Sequence, residues 1–384
     1  MDLSADQQNA ISTLLMWYKN PKKAPFITLG GYAGTGKTTV ISLLRNQLNE
    51  IDKTISVSFC SYTGKATRVL ANRLKDNSSI YAADTVTTIH SLIYTAMLDD
   101  ATQEIIGWER KKILNTNLII VDEASMVDEQ IWRDLLSYGT PIIAVGDHGQ
   151  LPPINSSFNL MENPNLKLEQ IHRQAENNPI IELSILARTT GEIPVGKYGP
   201  NIKKFMRNDI DASESITELL QNYRDDTIIL CGFNTTRVKL NKYVRSSLGF
   251  ESQLPEPRDR VICLKNNRKK NIFNGMLGKV LYANDIFEFA LEIGIKMDYE
   301  EDSFEGKVLK EQFGSKETLT KMANKEMDLF DFGYALTVHK SQGSQSKRVI
   351  LFEERAQAMD DAMWKKWLYT AVTRAEEELF IIGK

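Results

Sequence analysis

The sequence predicts an α/β protein with two lobes, each a parallel β-sheet covered by helices on both faces, and with smaller β insertions. Short apolar runs bounded by turn residues alternate with longer helical patterns, as in chains that form such sheets. The runs fall into two clusters, at residues 26–147 and 227–383, and each cluster is long enough for a sheet of its own. The length of 384 residues also exceeds what one small domain needs.

Charge and composition exclude several protein classes. The chain has 47 Lys and Arg against 50 Asp and Glu, a net charge of -3, so no overall basic field indicates a nucleic-acid partner, although a local basic groove is compatible with it. No apolar run reaches the roughly 18 residues of a membrane span, and the N-terminus lacks the features of a signal peptide. The 3 cysteines lie far apart, so we expect buried thiols in a cytoplasmic protein without a zinc or disulfide framework.

A phosphate-binding loop is the strongest motif of the first lobe. The segment 31-GYAGTGKT-38 follows the apolar run FITL and precedes the helical run TTVISLLRNQL. Small residues in this context let backbone N–H groups surround phosphate oxygens, Lys37 reach the β and γ phosphates, and Thr38 bind Mg²⁺. ATP and Mg²⁺ are therefore the expected ligands. The predicted nucleotide contacts are Gly31, Gly34, Thr35, Gly36, Lys37, Thr38 and Thr39.

Two further strand ends supply the chemistry of hydrolysis. In 118-LIIVDEAS-125, Asp122 is predicted to hold the metal ion and Glu123 to deprotonate the attacking water. The second carboxylate separates a hydrolase from a P-loop kinase, whereas an isolated acidic pair after a strand is usually only a solvated strand end. The next apolar run leads to 146-GDHGQLPPI-154, where the amide of Gln150 can sense the γ-phosphate.

The ordered motifs resemble superfamily 1 helicases over nearly the whole chain, and within them the 5′→3′ branch of RecD, Pif1 and Dda. The polarity is implied by this resemblance alone. Besides the segments above, the motifs that carry the resemblance are LSADQQNAI (3–11), YTGKATRVL (62–70), TTIHSL (87–92), LEQIHRQ (168–174), LTVHKSQGS (336–344) and YTAVTRAEEE (369–378).

The resemblance assigns further nucleotide contacts. It implies that ATP binds between two RecA-like lobes, that Gln7 reads adenine, and that Arg173 and Arg374 stabilise the γ-phosphate when the lobes close. Gln7 can also form a helix capping box with Ser4, and Arg374 can be an ordinary cation at a helix C-terminus.

The resemblance also implies a track for single-stranded DNA and single-strand/duplex junctions. A translocating protein grips backbone and bases without reading sequence, so small hydroxyl groups and stacking side chains are suitable contacts. RNA stays open as the substrate, as does a loader that uses ATP only as a switch. A monomer is expected, with single-strand-binding, replication or recombination proteins as candidate partners. The predicted contacts are Thr63, Lys65, Thr88, His90, Thr337, His339 and Lys340.

The predicted domains are lobe 1A (1–178), lobe 2A (179–254 and 330–384) and an inserted SH3-like barrel, 2B (255–329). Residues 93–112 are predicted to form a β-hairpin, 1B, that separates strands through Ile105, Ile106 or Trp108, with an amphipathic helix as the alternative. A basic cluster at the start of 2B either contacts phosphates or is a solvated face. It comprises Arg258, Arg260, Lys265, Arg268, Lys269 and Lys270.

Overall fold

The computed structural model divides the chain into two compact units, Met1–Glu182 and Leu183–Lys384. The structure describes residues 3–20, 22–98, 105–153, 158–170, 178–267, 270, 272–298, 303–320 and 327–384. None of the helices in these ranges combines the length and the apolar character needed to cross a lipid bilayer.

The first unit is built on a six-stranded parallel sheet and a separate two-stranded hairpin. Its strands are β1 (Phe26–Gly31), β2 (Val57–Ser61), β3 (Thr85–Thr88), β4 (Tyr94–Leu98), β5 (Ile105–Arg110), β6 (Leu118–Asp122), β7 (Ile142–Gly146) and β8 (Leu166–Leu168). The sheet has the order β3-β2-β6-β7-β1-β8. The helices are α1 (Ala5–Lys19), α2 (Lys37–Ile51), α3 (Gly64–Asp76), α4 (Ile89–Ile93) and α5 (Glu129–Leu136).

Helices cover both faces of this sheet, which confirms the α/β class of the first lobe. The core on one face joins α1 and α2 to the sheet through Leu14, Leu44 and Phe59. The core on the other face joins α4 and α5 to it through side chains that include Ile93 and Trp132. Because both faces are buried, the strands are continuous apolar runs, and β2 and β7 are buried at every residue.

Strands β4 and β5 pair antiparallel, so the alternative of an amphipathic helix is wrong for residues 94–98 and 105–110. Helix α5 and the turn after it anchor the base of this hairpin. The hydroxyl of Tyr94 donates to Asp134, and Arg110 Nη1 donates to Ser137 Oγ at 2.8 Å. The hydroxyl of Tyr138 forms hydrogen bonds with the backbone carbonyls on both sides of the hairpin base.

The second half of the chain contains a second large sheet and an antiparallel sheet. Its strands are β9 (Gly196–Gly199), β10 (Ile202–Met206), β11 (Thr227–Cys231), β12 (Arg260–Cys263), β13 (Leu277–Phe287), β14 (Ala290–Met297), β15 (Ser303–Leu309), β16 (Phe330–Phe332), β17 (Ala335–Thr337), β18 (Ser346–Phe352) and β19 (Ala375–Gly383). Its helices are α6 (Pro179–Thr189), α7 (Ile210–Gln221), α8 (Asn234–Ser247) and α9 (Asp361–Val372).

The large sheet has the order β17-β11-β18-β19-β10-β9 and is parallel except for its edge pair, β9 and β10. The predicted cluster of apolar runs began only at residue 227 and therefore missed the antiparallel pair of β9 and β10. The reason lies in β10, IKKFM, whose Lys204 is buried and pairs with Glu353 at 2.7 Å. A buried lysine conceals a core strand from any search for apolar runs.

The inserted segment forms a five-stranded antiparallel sheet in the order β15-β14-β13-β12-β16. Its last strand, β16, lies beyond the predicted limit at residue 329. Two arginines of α8 form ion pairs with aspartates at the start and at the end of the inserted segment. Arg245 Nη2 lies 2.8 Å from Asp259 Oδ2, and Arg237 Nη1 lies 2.6 Å from Asp331 Oδ2.

The three cysteines are buried, as predicted. Cys231 ends β11 and Cys263 ends β12, while Cys60 lies in β2. Burial raises the pKa of each thiol.

Candidate functional site

The loop between β1 and α2 has the glycine-dependent shape of a phosphate-binding loop. Gly34 and Gly36 have φ values of 79° and 78°, in the left-handed region that glycine adopts without strain. A Cβ atom on Gly31 would lie 2.7 Å from Thr35 Oγ1, so only glycine fits there. Lys37 Nζ donates to the backbone carbonyl oxygens of Gly31 at 2.7 Å and Tyr32 at 3.0 Å. The loop therefore brings an ammonium group to a helix N-terminus.

Gln7 lies against this loop and is fully buried. Its Oε1 accepts from the backbone N–H of Ser4 at 3.1 Å, and Ser4 Oγ accepts from the N–H of Gln7, which confirms the predicted capping box. Its Nε2 donates to the carbonyl oxygen of Thr35 at 2.9 Å, a contact that the sequence did not reveal. The adenine-reading role of Gln7 stays a prediction.

Two carboxylates follow one another at the end of β6. The backbone N–H of Glu123 donates to Asp122 Oδ1 at 2.9 Å. Glu123 has φ 54° and ψ 38°, a left-handed conformation that costs a residue with a Cβ atom roughly 1–2 kcal/mol. Such strain clusters at functional sites, where the surrounding structure holds it in place. The geometry thus marks Glu123 independently of its motif.

The environment of Asp122 fits a bound divalent cation. Burial, together with the negative charge of Glu123, raises the pKa of Asp122 to about 6, while the positive charges of Lys37 and Arg73 oppose the rise. Arg73 Nη1 also donates to Thr38 Oγ1 at 3.4 Å, so this arginine is electrostatically linked to both predicted metal ligands. Carboxylate and hydroxyl oxygens are ligands that Mg²⁺ prefers. Sequence reasoning missed Arg73, which lies in the last turn of α3.

The raised pKa of Asp122 predicts that Mg²⁺ binding weakens in mild acid. Below a pKa of about 6, a proton competes with the cation for the carboxylate. Between about pH 7.5 and about pH 5, the apparent dissociation constant for Mg²⁺ should therefore rise roughly tenfold. The magnesium dependence of ATP hydrolysis measures it at each pH. Asp52→Asn, which alters an exposed acid, should keep the rise, and an unchanged constant in the unmodified protein would contradict the prediction.

Gln150 follows β7, the strand next to both β1 and β6. Its side chain is buried, and Nε2 donates to Asp147 Oδ2 at 3.4 Å. Within the described part of the chain, its Oε1 has no hydrogen-bond partner, and neither does the buried hydroxyl of Ser125. Buried polar atoms without partners are rare in folded proteins and indicate a place where water or a ligand binds.

The predicted nucleic-acid contacts of the first unit lie at the ends of β2 and β3. Thr63 Oγ1 accepts from Ala66 N and caps α3, and Thr88 Oγ1 accepts from the third residue of α4 and caps that helix. His90 packs between the rings of Tyr62 and Tyr94, with centroids at 6.1 and 5.9 Å. The side chain of Lys65 lies outside the described residues.

The corresponding contacts of the second unit lie in one short stretch. Thr337 ends β17, and His339 and Lys340 lie in the 3₁₀ turn that follows. Burial lowers the pKa of both His339 and Lys340, and the nearby charge of Arg237 lowers that of Lys340 further. These groups are thus less solvated than surface side chains.

The two arginines assigned to the γ-phosphate differ in what the structure describes. Arg173 and its neighbour His172 lie outside the described residues. Arg374 is buried, and its guanidinium donates to the carbonyl oxygens of Thr370 at 3.0 Å and Ser344 at 3.1 Å. The bond to Thr370 reaches the last turn of α9, so the helix-end geometry is present and the phosphate contact stays a prediction.

Two cations of the basic cluster pair with acids. Arg260 Nη1 donates to Asp298 Oδ1 at 2.7 Å, and Lys270 Nζ lies 2.8 Å from Asp328 Oδ2. Arg268 and Lys269 lie outside the described residues. The phosphate-binding interpretation of the cluster is weakened, because these two charges already have partners.

Known proteins resemble the chain over both units. The family model described as an AAA domain matches residues 2–198, and that of the UvrD-like helicase C-terminal domain matches residues 332–382. The ATP-dependent RecD2 DNA helicase of Deinococcus radiodurans is 27% identical over 379 residues, which cover 93% of this chain and 47% of that protein. The chain therefore spans less than half the length of this relative.

Two further matches cover nearly the whole chain. The ATP-dependent DNA helicase dda of Enterobacteria phage T4 is 22% identical over 457 residues, which cover 99% of each protein. The crystal structure of the Pif1 helicase from Bacteroides in complex with ADP-AlF3 and ssDNA has a TM-score of 0.54 at 19% identity, and the match covers 99% of this chain and 92% of that one. This structural likeness shows that the fold is the same. The chain belongs to the AAA domain family, and its sequence is similar to those of the DNA helicases RecD2 and Dda.

Proposed function

We propose that this protein is an ATP-dependent DNA helicase that moves 5′→3′ along single-stranded DNA and unwinds duplex or displaces bound protein. The observation that carries the proposal is the strained Glu123 beside the buried Asp122, at the sheet edge where Lys37 begins α2. A P-loop kinase needs no such second carboxylate. The names of RecD2 and Dda as ATP-dependent DNA helicases support the same activity.

The polar groups of the candidate site in the first unit have distinct roles in hydrolysis. Lys37 leaves the carbonyl groups that it contacts and binds the β and γ phosphates. Glu123 accepts a proton from the attacking water, and the partnerless Oε1 of Gln150 orients that water. Thr38 and Asp122 would hold Mg²⁺, which would supply charge neutralisation at the phosphate oxygens.

The second unit contributes Arg374, in agreement with the resemblance. A guanidinium at the γ-phosphate stabilises the charge that develops during transfer. Because Arg374 now donates to Thr370 and Ser344, reaching a phosphate requires it to exchange these carbonyl groups for phosphate oxygens. Arg173 is the proposed second arginine.

The DNA track runs over the predicted motifs of both lobes. The N-terminus of α3 behind Thr63 offers backbone N–H groups to a phosphate, and His90, His339 and Lys340 lie in the matching positions of the helicase motifs. We also propose the domain division into 1A, 1B, 2A and 2B, with 2B extended to include β16 and its antiparallel sheet as an SH3-like module.

The hairpin of β4 and β5 is proposed as the element that separates strands, with the exposed Trp108 of β5 as its apolar contact. Trp108→Ala should lower the unwinding rate several-fold, because an exposed indole can stack on a base pair for about 1–3 kcal/mol. Single-strand-stimulated ATP hydrolysis should stay unchanged. Ile113→Ala, which truncates an exposed apolar residue outside the hairpin, serves as the control. An equal loss of both activities in Trp108→Ala would contradict this role.

Unwinding assays on duplexes with a 5′ or a 3′ overhang, in DNA and RNA versions, test the function as a whole. We expect ATP-dependent unwinding of the DNA duplex with the 5′ overhang and ATP hydrolysis that rises when single-stranded DNA is added. Hydrolysis without unwinding would indicate a loader that uses ATP as a switch. Phosphorylation of a small molecule without stimulation by DNA would indicate a kinase.

A further inference from the structure

The ring of Tyr32 in the phosphate-binding loop contacts the ring of His148, with centroids 4.2 Å apart and planes inclined by 47°. Tyr32 directly follows β1, and His148 lies two residues after β7. These strands are parallel neighbours in the sheet, so the contact joins the loops that leave them at the same edge. One loop binds phosphate and the other carries Gln150.

Packing rather than hydrogen bonding fixes the ring of His148. A Cβ atom on Gly30 would lie 2.8 Å from His148 Nδ1, so the ring rests directly on the backbone of β1. This nitrogen is buried, and it has no hydrogen-bond partner among the residues that the structure describes. The position of the His148 ring therefore depends on its packing against the ring of Tyr32 and the backbone of Gly30.

Both ends of the contact belong to loops with proposed roles in nucleotide binding and hydrolysis. The carbonyl oxygen of Tyr32 accepts from Lys37 Nζ at 3.0 Å and from Thr35 Oγ1 at 2.8 Å. In the proposed function, Lys37 gives up this bond when it binds the phosphates of ATP. In the loop after β7, the carboxylate of Asp147 accepts from the N–H of Gly149 at 2.9 Å and from Gln150 Nε2. His148 and Gln150 therefore lie in one hydrogen-bonded turn.

We propose that His148 is a positioning residue which, through its ring contact with Tyr32, transmits the nucleotide state of the phosphate-binding loop to Gln150. The proposal rests on the proposed ATP hydrolysis. The proposed function assigns roles to Lys37 and Gln150 separately, and the contact of Tyr32 with His148 connects the two loops that carry them.

The charges around His148 also connect its pKa to the phosphate-binding loop, because Lys37 is one of them. Burial lowers the pKa of His148; Asp147 and Glu169 raise it, whereas Lys167 and Lys37 lower it. Burial therefore favours the neutral form of the imidazole. Because Lys37 is among the charges that act on the ring, a phosphate group bound by Lys37 should raise the pKa of His148. By linkage, nucleotide affinity then increases as the pH falls.

Steady-state ATP hydrolysis by matched variants tests the contact. We expect His148→Ala to lower kcat about tenfold and to change the KM for ATP less than about twofold, as is typical when a supporting side chain is lost. His148→Phe should restore kcat to within about twofold, because the phenyl ring can pack on Tyr32. Tyr32→Ala combined with His148→Ala should be no worse than either single variant, since both remove the same coupling.

Histidine NMR titration gives a readout that a merely structural role would not move. The chain has 4 histidines, so comparison with His148→Phe identifies the signal of His148. We expect its pKa to rise when ADP or a nonhydrolysable ATP analogue is added. An unchanged pKa at saturating nucleotide, or wild-type kcat in His148→Ala, would overturn the inference. An unmodified protein that binds nucleotide but does not hydrolyse it would overturn the proposed function instead, while the titration would still test the contact.

Discussion

Glu123→Gln is expected to bind ATP with nearly unchanged affinity and to hydrolyse it about 10²–10⁴-fold more slowly. Glutamine keeps the size of the side chain and its hydrogen-bonding capacity, but it cannot accept a proton from the attacking water. Because Glu123 does not itself hold the phosphates in the proposed site, the loss should fall on kcat and not on binding. Equilibrium binding of a fluorescent ATP analogue and steady-state phosphate release measure the two quantities.

The backbone conformation of Glu123 allows a second variant that separates the loss of the carboxylate from its effect on stability. Its left-handed conformation strains every residue except glycine. Glu123→Gly should therefore be as inactive as Glu123→Gln, yet its free energy of unfolding should increase by about 1 kcal/mol. Glu129→Gln, which changes an exposed acid of α5, should leave hydrolysis intact. Near-normal turnover in Glu123→Gln would exclude Glu123 as the general base.

The sequence predicts those parts of the candidate site that are contiguous in the chain. The phosphate-binding loop, the acidic pair after β6 and Gln150 after β7 each combine a short motif with the strand that precedes it. Parallel strands place such motifs at one edge of the sheet, so the fold class alone brings them together. This is why Lys37, Asp122 and Gln150 could be predicted without coordinates.

Contacts that depend on packing between distant segments could not be predicted. Arg73 reaches Thr38 only because α3 packs beside α2, and a lone arginine in an amphipathic helix is usually a solvated residue. The strain at Glu123 is a backbone property with no residue-type signal. The contact of Tyr32 with His148 requires knowing that β1 and β7 are neighbours, which the order of strands along the chain does not show.

The fold was predictable to the same extent and for the same reason. Apolar runs revealed the strands that contain several consecutive buried, uncharged residues. They did not reveal β10, where the pair of Lys204 and Glu353 replaces apolar packing. Nor did they define the end of the insertion, because Phe330 and Phe332 of β16 have the character of any buried strand. Such a strand belongs to the sheet whose strands it pairs with, and this pairing cannot be seen in its own sequence.

Lys37→Ala is expected to abolish both ATP hydrolysis and unwinding. The ammonium group is the one charge of the loop that the motif directs to the β and γ phosphates. Removal of a single group that stabilises developing charge in a shielded site costs about 10²–10³-fold in kcat. Lys37 also stabilises binding of the ground state, so we expect weaker ATP binding as well, in contrast to Glu123→Gln. Steady-state hydrolysis, ATP binding and strand separation are measured on the same preparation.

The hydrogen bonds of Lys37 indicate how the effect of losing its positive charge can be separated from an effect on protein stability. Lys37 Nζ donates to Gly31 and Tyr32, so its removal leaves two carbonyl groups without this donor. Lys37→Met keeps an unbranched side chain in the loop, and it should lose activity as completely as Lys37→Ala while unfolding at a closely similar denaturant concentration. Lys53→Ala, in an exposed turn, is the matched control for removing one positive charge. Full unwinding by Lys37→Met would mean that this loop does not power strand separation, because Lys37 is the one side chain of the proposed mechanism that binds the β and γ phosphates together.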